Sequence, residues 1–243
     1  MASDIITFMN YVGINRAIWC GHSYGAKIGY YAALQYSSYV SSVIALDIAP
    51  VTYESKLPQF RSMFKLFKTI ESMEWKNRKE IEKYISSQMP DLTEFEIKFL
   101  LKPFIPEDES MDHNTIRKWQ WKTNIDDMGK EMDNVVAFPV EENAKYKGPT
   151  YLLRGEYSKW VNKEGEKALR SRFPNVKITT INDAGHNLHI DQPDETIKYI
   201  AGALDDIDID FAGSARGSVW DEILKKQLSG DSGELEDIHT YSS

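Results

Sequence analysis

Residues 21–25, Gly-His-Ser-Tyr-Gly, fit the pattern G-x-S-x-G, in which a serine sits on a sharp turn between a strand and a helix. Such a turn holds the serine backbone in a sparsely populated conformation and lifts its hydroxyl to the top of a sheet. A glycine two positions away on either side lets neighbouring backbone pass without a side-chain clash. The chemistry this serves is acyl transfer, with Ser23 as the nucleophile of an acyl-enzyme mechanism. The backbone N–H of Tyr24 is then one donor to the oxyanion, while its bulky side chain would narrow the acyl pocket.

A serine hydroxyl needs a base to take its proton, and the base needs an acid to orient it. His186 is the candidate base, because it follows Asp183, Ala184 and Gly185 just after an apolar run, where Gly185 would let the loop bend the imidazole towards Ser23. His189 competes for the role but lacks a glycine hinge. The acid has three candidates. Asp47 lies at the carboxyl end of the strand after the elbow helix, and parallel strands present their carboxyl ends to one face, so it can reach the same imidazole. The structural alternative for Asp47 is a carboxylate capping backbone amides near Pro50. Glu156 and Asp126 are the reserves, and Ser158, in the loop Gly155-Glu156-Tyr157-Ser158, would support Asp47 with a hydrogen bond.

The elements that must position these residues follow an α/β rhythm. Residues 4–12 carry Ile5, Ile6, Phe8, Met9 and Val12 at helical spacing, with Ser3 as N-cap and Gly13 as the stop. Residues 17–20 read as a buried parallel strand, 26–35 as the elbow helix and 40–48 as the next strand. Strands at 149–154 and 176–181 alternate with helices at 163–172 and 194–204. The predicted organisation is therefore a nucleophile-elbow half of the core at 1–50, a helical lid at 51–140, the rest of the α/β core at 141–204, and an acidic, largely disordered tail at 205–243 with a short amphipathic helix at 219–228.

The lid segment is rich in lysine, glutamate, methionine and aromatics, with helical periodicity and no clear strand. Asp91 and Glu94 resemble a capping box opening a helix that Pro103 ends. Trp119, Trp121, Met128 and Met132 either pack this lid or line an acyl pocket.

The composition narrows the remaining classes. A chain of 243 residues, 42% of them hydrophobic, can bury a full α/β core, and a formal net charge of −8 argues against a nucleic-acid surface. The single cysteine, Cys20, excludes an internal disulfide and reads as a buried, inert thiol. No metal site is suggested, no run is long enough for a membrane span, and no targeting segment is visible at the start.

Taken together, GHSYGAK, ALDIAPV, FLLKPF, WQWKTNIDDM, VVAFPV, GPTYLLRG and DAGHNLHIDQPDE resemble the α/β-hydrolase-domain esterases, which include bacterial short-chain acyl esterases, mitochondrial α/β-hydrolase-domain proteins and fungal ethanol acetyltransferases. The resemblance implies an α/β-hydrolase fold, a mostly parallel sheet with a helical lid, and a triad that falls on Ser23, Asp47 and His186. In some members an aspartate in the lid is the acid, which would fall on Asp126. It further implies esterase, thioesterase or alcohol acetyltransferase activity on a small acyl ester or thioester, with no cofactor, acetyl-CoA as a conceivable acyl donor, and mitochondrial residence in eukaryotic members, otherwise cytoplasmic.

The family also places several strands, and a His-Gly loop with a second oxyanion donor, ahead of this region, so the resemblance implies an amino-terminally truncated fold. On that expectation the 17–20 strand is an exposed edge open to self-association. Activity of the chain alone is then weak, since loss of one oxyanion donor costs on the order of a hundredfold to a thousandfold. The competing expectation is a non-catalytic remnant acting as a binding module.

Overall fold

The structure is a computed structural model that describes residues 1–108 and 115–207. The chain divides into two compact units, Met1–Asp205 and Asp206–Ser243, and nearly all of the second, with the tail helix expected at 219–228, lies outside the described residues. The first unit opens with α1 (Ala2–Tyr11), β1 (Ala17–His22), α2 (Tyr24–Gln35) and β2 (Val40–Leu46). An insertion follows, built from α3 (Leu57–Glu71), β3 (Glu74–Trp75), α4 (Arg78–Gln88), α5 (Glu94–Leu100), β4 (Phe104–Pro106), β5 (Arg117–Trp121), α6 (Ile125–Lys130) and α7 (Met132–Val136). The chain then returns to the core as β6 (Thr150–Gly155), α8 (Lys163–Arg172), β7 (Val176–Ile181), α9 (Leu188–Asp191) and α10 (Pro193–Asp206).

The core sheet is parallel throughout, in the order β1-β2-β6-β7. All four carboxyl ends therefore point the same way, and residues from four distant stretches of sequence meet there. β2 reads Val-Ser-Ser-Val-Ile-Ala-Leu, is buried along almost all its length and lies between β1 and β6, as a central strand covered on both faces must. The elbow helix α2 turns Ala26, Gly29, Tyr30, Ala32 and Ala33 inward, and the small side chains let it lie close over Trp19 and Val43. Tyr30 and Phe173 meet as a tilted pair with ring centroids 4.9 Å apart, joining the α2 and α8 sides of one hydrophobic core.

Several expectations are corrected. Helix α1 starts at Ala2 with Ser3 inside it, and it buries Ile6 and Met9 while Ile5, Phe8 and Val12 stay exposed, because the face that touches the core is narrower than the apolar stripe. β1 has β2 on one side only among the described residues, so Cys20 is exposed rather than buried. The insertion carries a second core of its own, centred on Phe64, Ile70, Ile81, Ile85, Leu101, Phe104 and Trp119. It also contains an antiparallel sheet in the order β3-β5-β4, which sequence periodicity missed because its strands run to only two, three and five residues. Trp119 and Met132 belong to this core, Trp121 packs against it, and Met128 is exposed. The capping box at α5 is Thr93 with Glu96, each side chain taking the other's backbone N–H, and not Asp91 with Glu94.

The two glycines of the elbow are not equivalent. A Cβ on Gly21 would lie 2.6 Å from the backbone carbon of Gly25 and 2.7 Å from the amide nitrogen of Ala26, whereas a Cβ on Gly25 would meet open space. Gly21→Ala is therefore expected to destabilise the fold by about 1–3 kcal/mol. Gly25→Ala, at a helical position, should leave stability unchanged or raise it by about 0.5–1 kcal/mol. Urea denaturation midpoints of the two variants check this, and equal midpoints would refute the steric account.

Candidate active site

Ser23 joins β1 to α2 with φ 53° and ψ −121°, a conformation non-glycine residues rarely adopt. Its amide donates to the Leu46 carbonyl at 2.9 Å, so the parallel ladder continues one residue past β1 before the turn, and this over-determines the strained geometry. One strand over the same device recurs: Asp47 has φ 55° and its amide donates to the Leu153 carbonyl at 2.8 Å. The nucleophile candidate and the acid candidate are thus set in register by the sheet itself.

His186 lies between them. Its Nε2 is 3.0 Å from Ser23 Oγ and its Nδ1 is 2.7 Å from Asp47 Oδ2. A carboxylate only accepts, so Nδ1 carries the proton and the Nε2 lone pair is left to accept the serine O–H. The Asp47 side chain is fully buried, and a buried charge must be satisfied on every side. Besides His186 it takes the Gly155 N–H at 3.0 Å on Oδ1 and the Ser158 hydroxyl on Oδ2. Ser158 Oγ in turn accepts the Trp160 N–H at 3.2 Å. Tyr53 ties the same loop to the strand end, donating its hydroxyl to the Trp160 carbonyl at 2.7 Å and accepting the Ala49 N–H at 2.9 Å.

The reserve acids go elsewhere. Asp126 forms an exposed ion pair with Lys68, and Glu156 accepts the Asp183 N–H at 3.0 Å. His189 sits beside His22, ring centroids 4.6 Å apart, with its Nδ1 buried and without a hydrogen-bond partner among the described residues; burial lowers its pKa. The loop carrying His186 bends at Asp183, φ 54°, rather than at Gly185. The glycine it does require is Gly155, where a Cβ would fall 2.1 Å from the Gly185 carbonyl oxygen. The Tyr24 side chain lines a cavity of about 240 Å³ with Lys27, Tyr31, Asn134 and Phe138, and Ser23, Asp47 and His186 are not among its walls.

Three neighbours escape a reading by motif. Trp160 stacks on His186 with ring centroids 4.8 Å apart and an interplanar angle of 29°. His22 occupies a variable position of the elbow pattern, yet its Nε2 is 2.8 Å from the His186 carbonyl oxygen and its ring centroid 4.7 Å from that of His186. Lys27, four residues past Ser23, is buried and donates to the Val135 and Val136 carbonyls, each at 2.9 Å; burial pulls its pKa down to about 8. A titratable side chain one residue from a candidate nucleophile is the signal that could have singled out His22.

A parallel sheet with serine, aspartate and histidine gathered at its carboxyl ends defines the α/β-hydrolase class. Residues 1–193 match the family described as alpha/beta hydrolase fold, and the chain belongs to that family. Among curated relatives, the sn-1-specific diacylglycerol lipase ABHD11 of Mus musculus is 27% identical over 207 residues, covering 84% of this chain and 64% of the relative. Esterase YbfF of Escherichia coli is 23% identical over 206 residues, 85% of this chain and 74% of the relative. Ethanol acetyltransferase 1 of Cyberlindnera jadinii is 26% identical over 227 residues, 82% and 63%. The chain thus spans 64% and 61% of the length of the mouse and Danio rerio lipases. Among solved structures, a marine microorganism esterase superposes with a TM-score of 0.66 at 25% identity, covering 83% of this chain and 75% of that one.

Proposed function

We propose that the chain carries the catalytic machinery of a serine acyl hydrolase or acyltransferase acting on a carboxylic ester or thioester. The observation that carries this reading is the continuous relay from Ser23 Oγ through His186 to the buried Asp47, at 3.0 and 2.7 Å. Ser23 Oγ bonds to the acyl carbon while Nε2 of His186 takes its proton. Asp47 stabilises the imidazolium that results, and the Tyr24 N–H, the first amide of α2, donates to the oxyanion. Collapse of the tetrahedral intermediate breaks the bond to the leaving oxygen or sulfur, which receives the proton from Nε2. Water, or an alcohol, then repeats the sequence on the acyl-enzyme and frees Ser23.

Ser158 and the Gly155 N–H hold the carboxylate in the orientation His186 needs, and the insertion serves as the lid over the acyl site. The names of the relatives, a lipase, an esterase and an acetyltransferase, support acyl transfer as the shared step. The family resemblance also supports residence in mitochondria.

The test is covalent. A fluorophosphonate should modify the protein once, on the peptide containing Ser23, and should not modify Ser23→Ala; an unlabelled wild-type protein, or equal labelling of both, overturns the reading. With acetyl-CoA and ethanol, ethyl acetate among the products identifies alcohol as acceptor, and acetate with free CoA identifies water.

A further inference from the structure

We propose that His22 is a positioning residue for the base: its Nε2–H holds the backbone carbonyl of His186, so that the strand carrying the nucleophile also grips the loop carrying the histidine. The inference rests on the reading of Ser23 and His186 as nucleophile and base.

The geometry is specific. A carbonyl only accepts, so at 2.8 Å from the His186 oxygen the His22 Nε2 must bear the proton. His22 and Ser23 are consecutive, and they reach the carbonyl and the ring of one residue more than 160 positions away. Hydrogen bonds to the ring, from Ser23 on one edge and to Asp47 on the other, hold the imidazole but not the backbone of His186. A bond to that residue's own carbonyl does. The rest of the loop is tied down by Gly185, whose amide donates to Asp191 Oδ2 at 2.8 Å, and by Ala184, whose carbonyl accepts the Tyr157 N–H at 2.9 Å. His22 supplies the tie at the functional residue itself.

The environment suits a neutral donor. His22 packs against the rings of His186 and His189, and a second positive charge there would oppose the imidazolium that forms on His186. Burial, opposed by the hydrogen bond to His186 and reinforced by the two neighbouring imidazoles, holds the His22 pKa at about 4, with Asp47 acting in the opposite sense. The ring therefore donates its hydrogen bond uncharged at neutral pH.

The test compares His22→Phe, which keeps ring volume but has no donor, with His22→Gln, whose side-chain amide can donate to the carbonyl; His22→Asn, too short to reach it, stands in should the phenylalanine variant not fold. With a short-chain p-nitrophenyl ester, the phenylalanine or asparagine variant should lose about 10- to 100-fold in kcat with KM within about twofold, the scale of a base displaced by a fraction of an ångström. The glutamine variant should recover most of that loss.

Wild-type kcat in His22→Phe, a change in KM alone, or an equal loss in the phenylalanine and glutamine variants overturns the inference. Proton NMR reads the same point without turnover. The downfield His186 Nδ1 proton should persist in wild type and His22→Gln and broaden by exchange with water in His22→Phe; unchanged exchange overturns the inference. If wild type shows this proton but neither turns over ester nor labels at Ser23, the acyl-transfer reading fails while the positioning role of His22 is judged on the resonance.

Discussion

Ser23→Ala is expected to keep the fold and lose about a millionfold in kcat for ester turnover, because nucleophile and base act as one unit. The substitution deletes one oxygen atom. The turn that presents it is fixed by the Leu46 carbonyl and by the Gly21–Gly25 contact rather than by the hydroxyl, so the denaturation midpoint should move by less than about 0.5 kcal/mol equivalent. His186→Ala should cost as much, and the double variant scarcely more than either single one. Additive losses, or a Ser23→Ala protein retaining a tenth of wild-type turnover, would show that the relay is not the machinery.

Asp47→Asn should lower kcat about ten-thousandfold with the protein still folded, the loss typical when the orienting acid of such a triad becomes an amide. Both carboxylate oxygens are used as acceptors, Oδ1 by the Gly155 N–H and Oδ2 by Ser158 and by His186 Nδ1–H. An amide supplies one acceptor and one donor. If its oxygen keeps the Gly155 N–H, its NH₂ faces His186 Nδ1, which must then be the unprotonated nitrogen. The imidazole switches tautomer, its Nε2 carries a proton towards Ser23, and it can no longer accept one. Asp126→Asn and Glu156→Gln supply the contrast: their partners are Lys68 and the Asp183 amide, so both variants should turn over within about twofold of wild type. A large loss in either, or a small one in Asp47→Asn, would move the acid from where the geometry puts it.

The core strands, the elbow and the gathering of Ser23, Asp47 and His186 were legible because each follows from a rule that acts locally or through topology. A G-x-S-x-G at the end of an apolar run makes a strand-turn-helix, and parallel strands deliver their ends to one side. What escaped depends on contacts between stretches remote in sequence. The exposure of Cys20 follows from which strands lie beside β1, and the need for glycine at 155 follows from a carbonyl thirty residues later. The β3-β5-β4 sheet consists of strands too short to show a period, stabilised by tryptophans that in sequence look equally at home on a helix face. The role proposed for His22 is invisible to a pattern that treats its position as free, and only the folded chain shows what its ring meets.

The two ends of the insertion fasten to each other before they reach the sheet. Tyr53 donates its amide to the Val136 carbonyl at 2.9 Å, Phe138 donates its own to Thr52 Oγ1 at 3.0 Å, and Lys27 clamps the last carbonyls of α7 from the elbow helix. A neck closed in this way makes the segment a cassette: β2 and β6 stay neighbours whatever lies between them. Because closure entropy grows only logarithmically with length, residues can be added or lost beyond the neck at little energetic cost to the strands β2 and β6, whose ends lead into Asp47 and Ser158. On the proposed reading, the segment over the acyl site can then change in one module while Ser23, Asp47 and His186 keep their places in another.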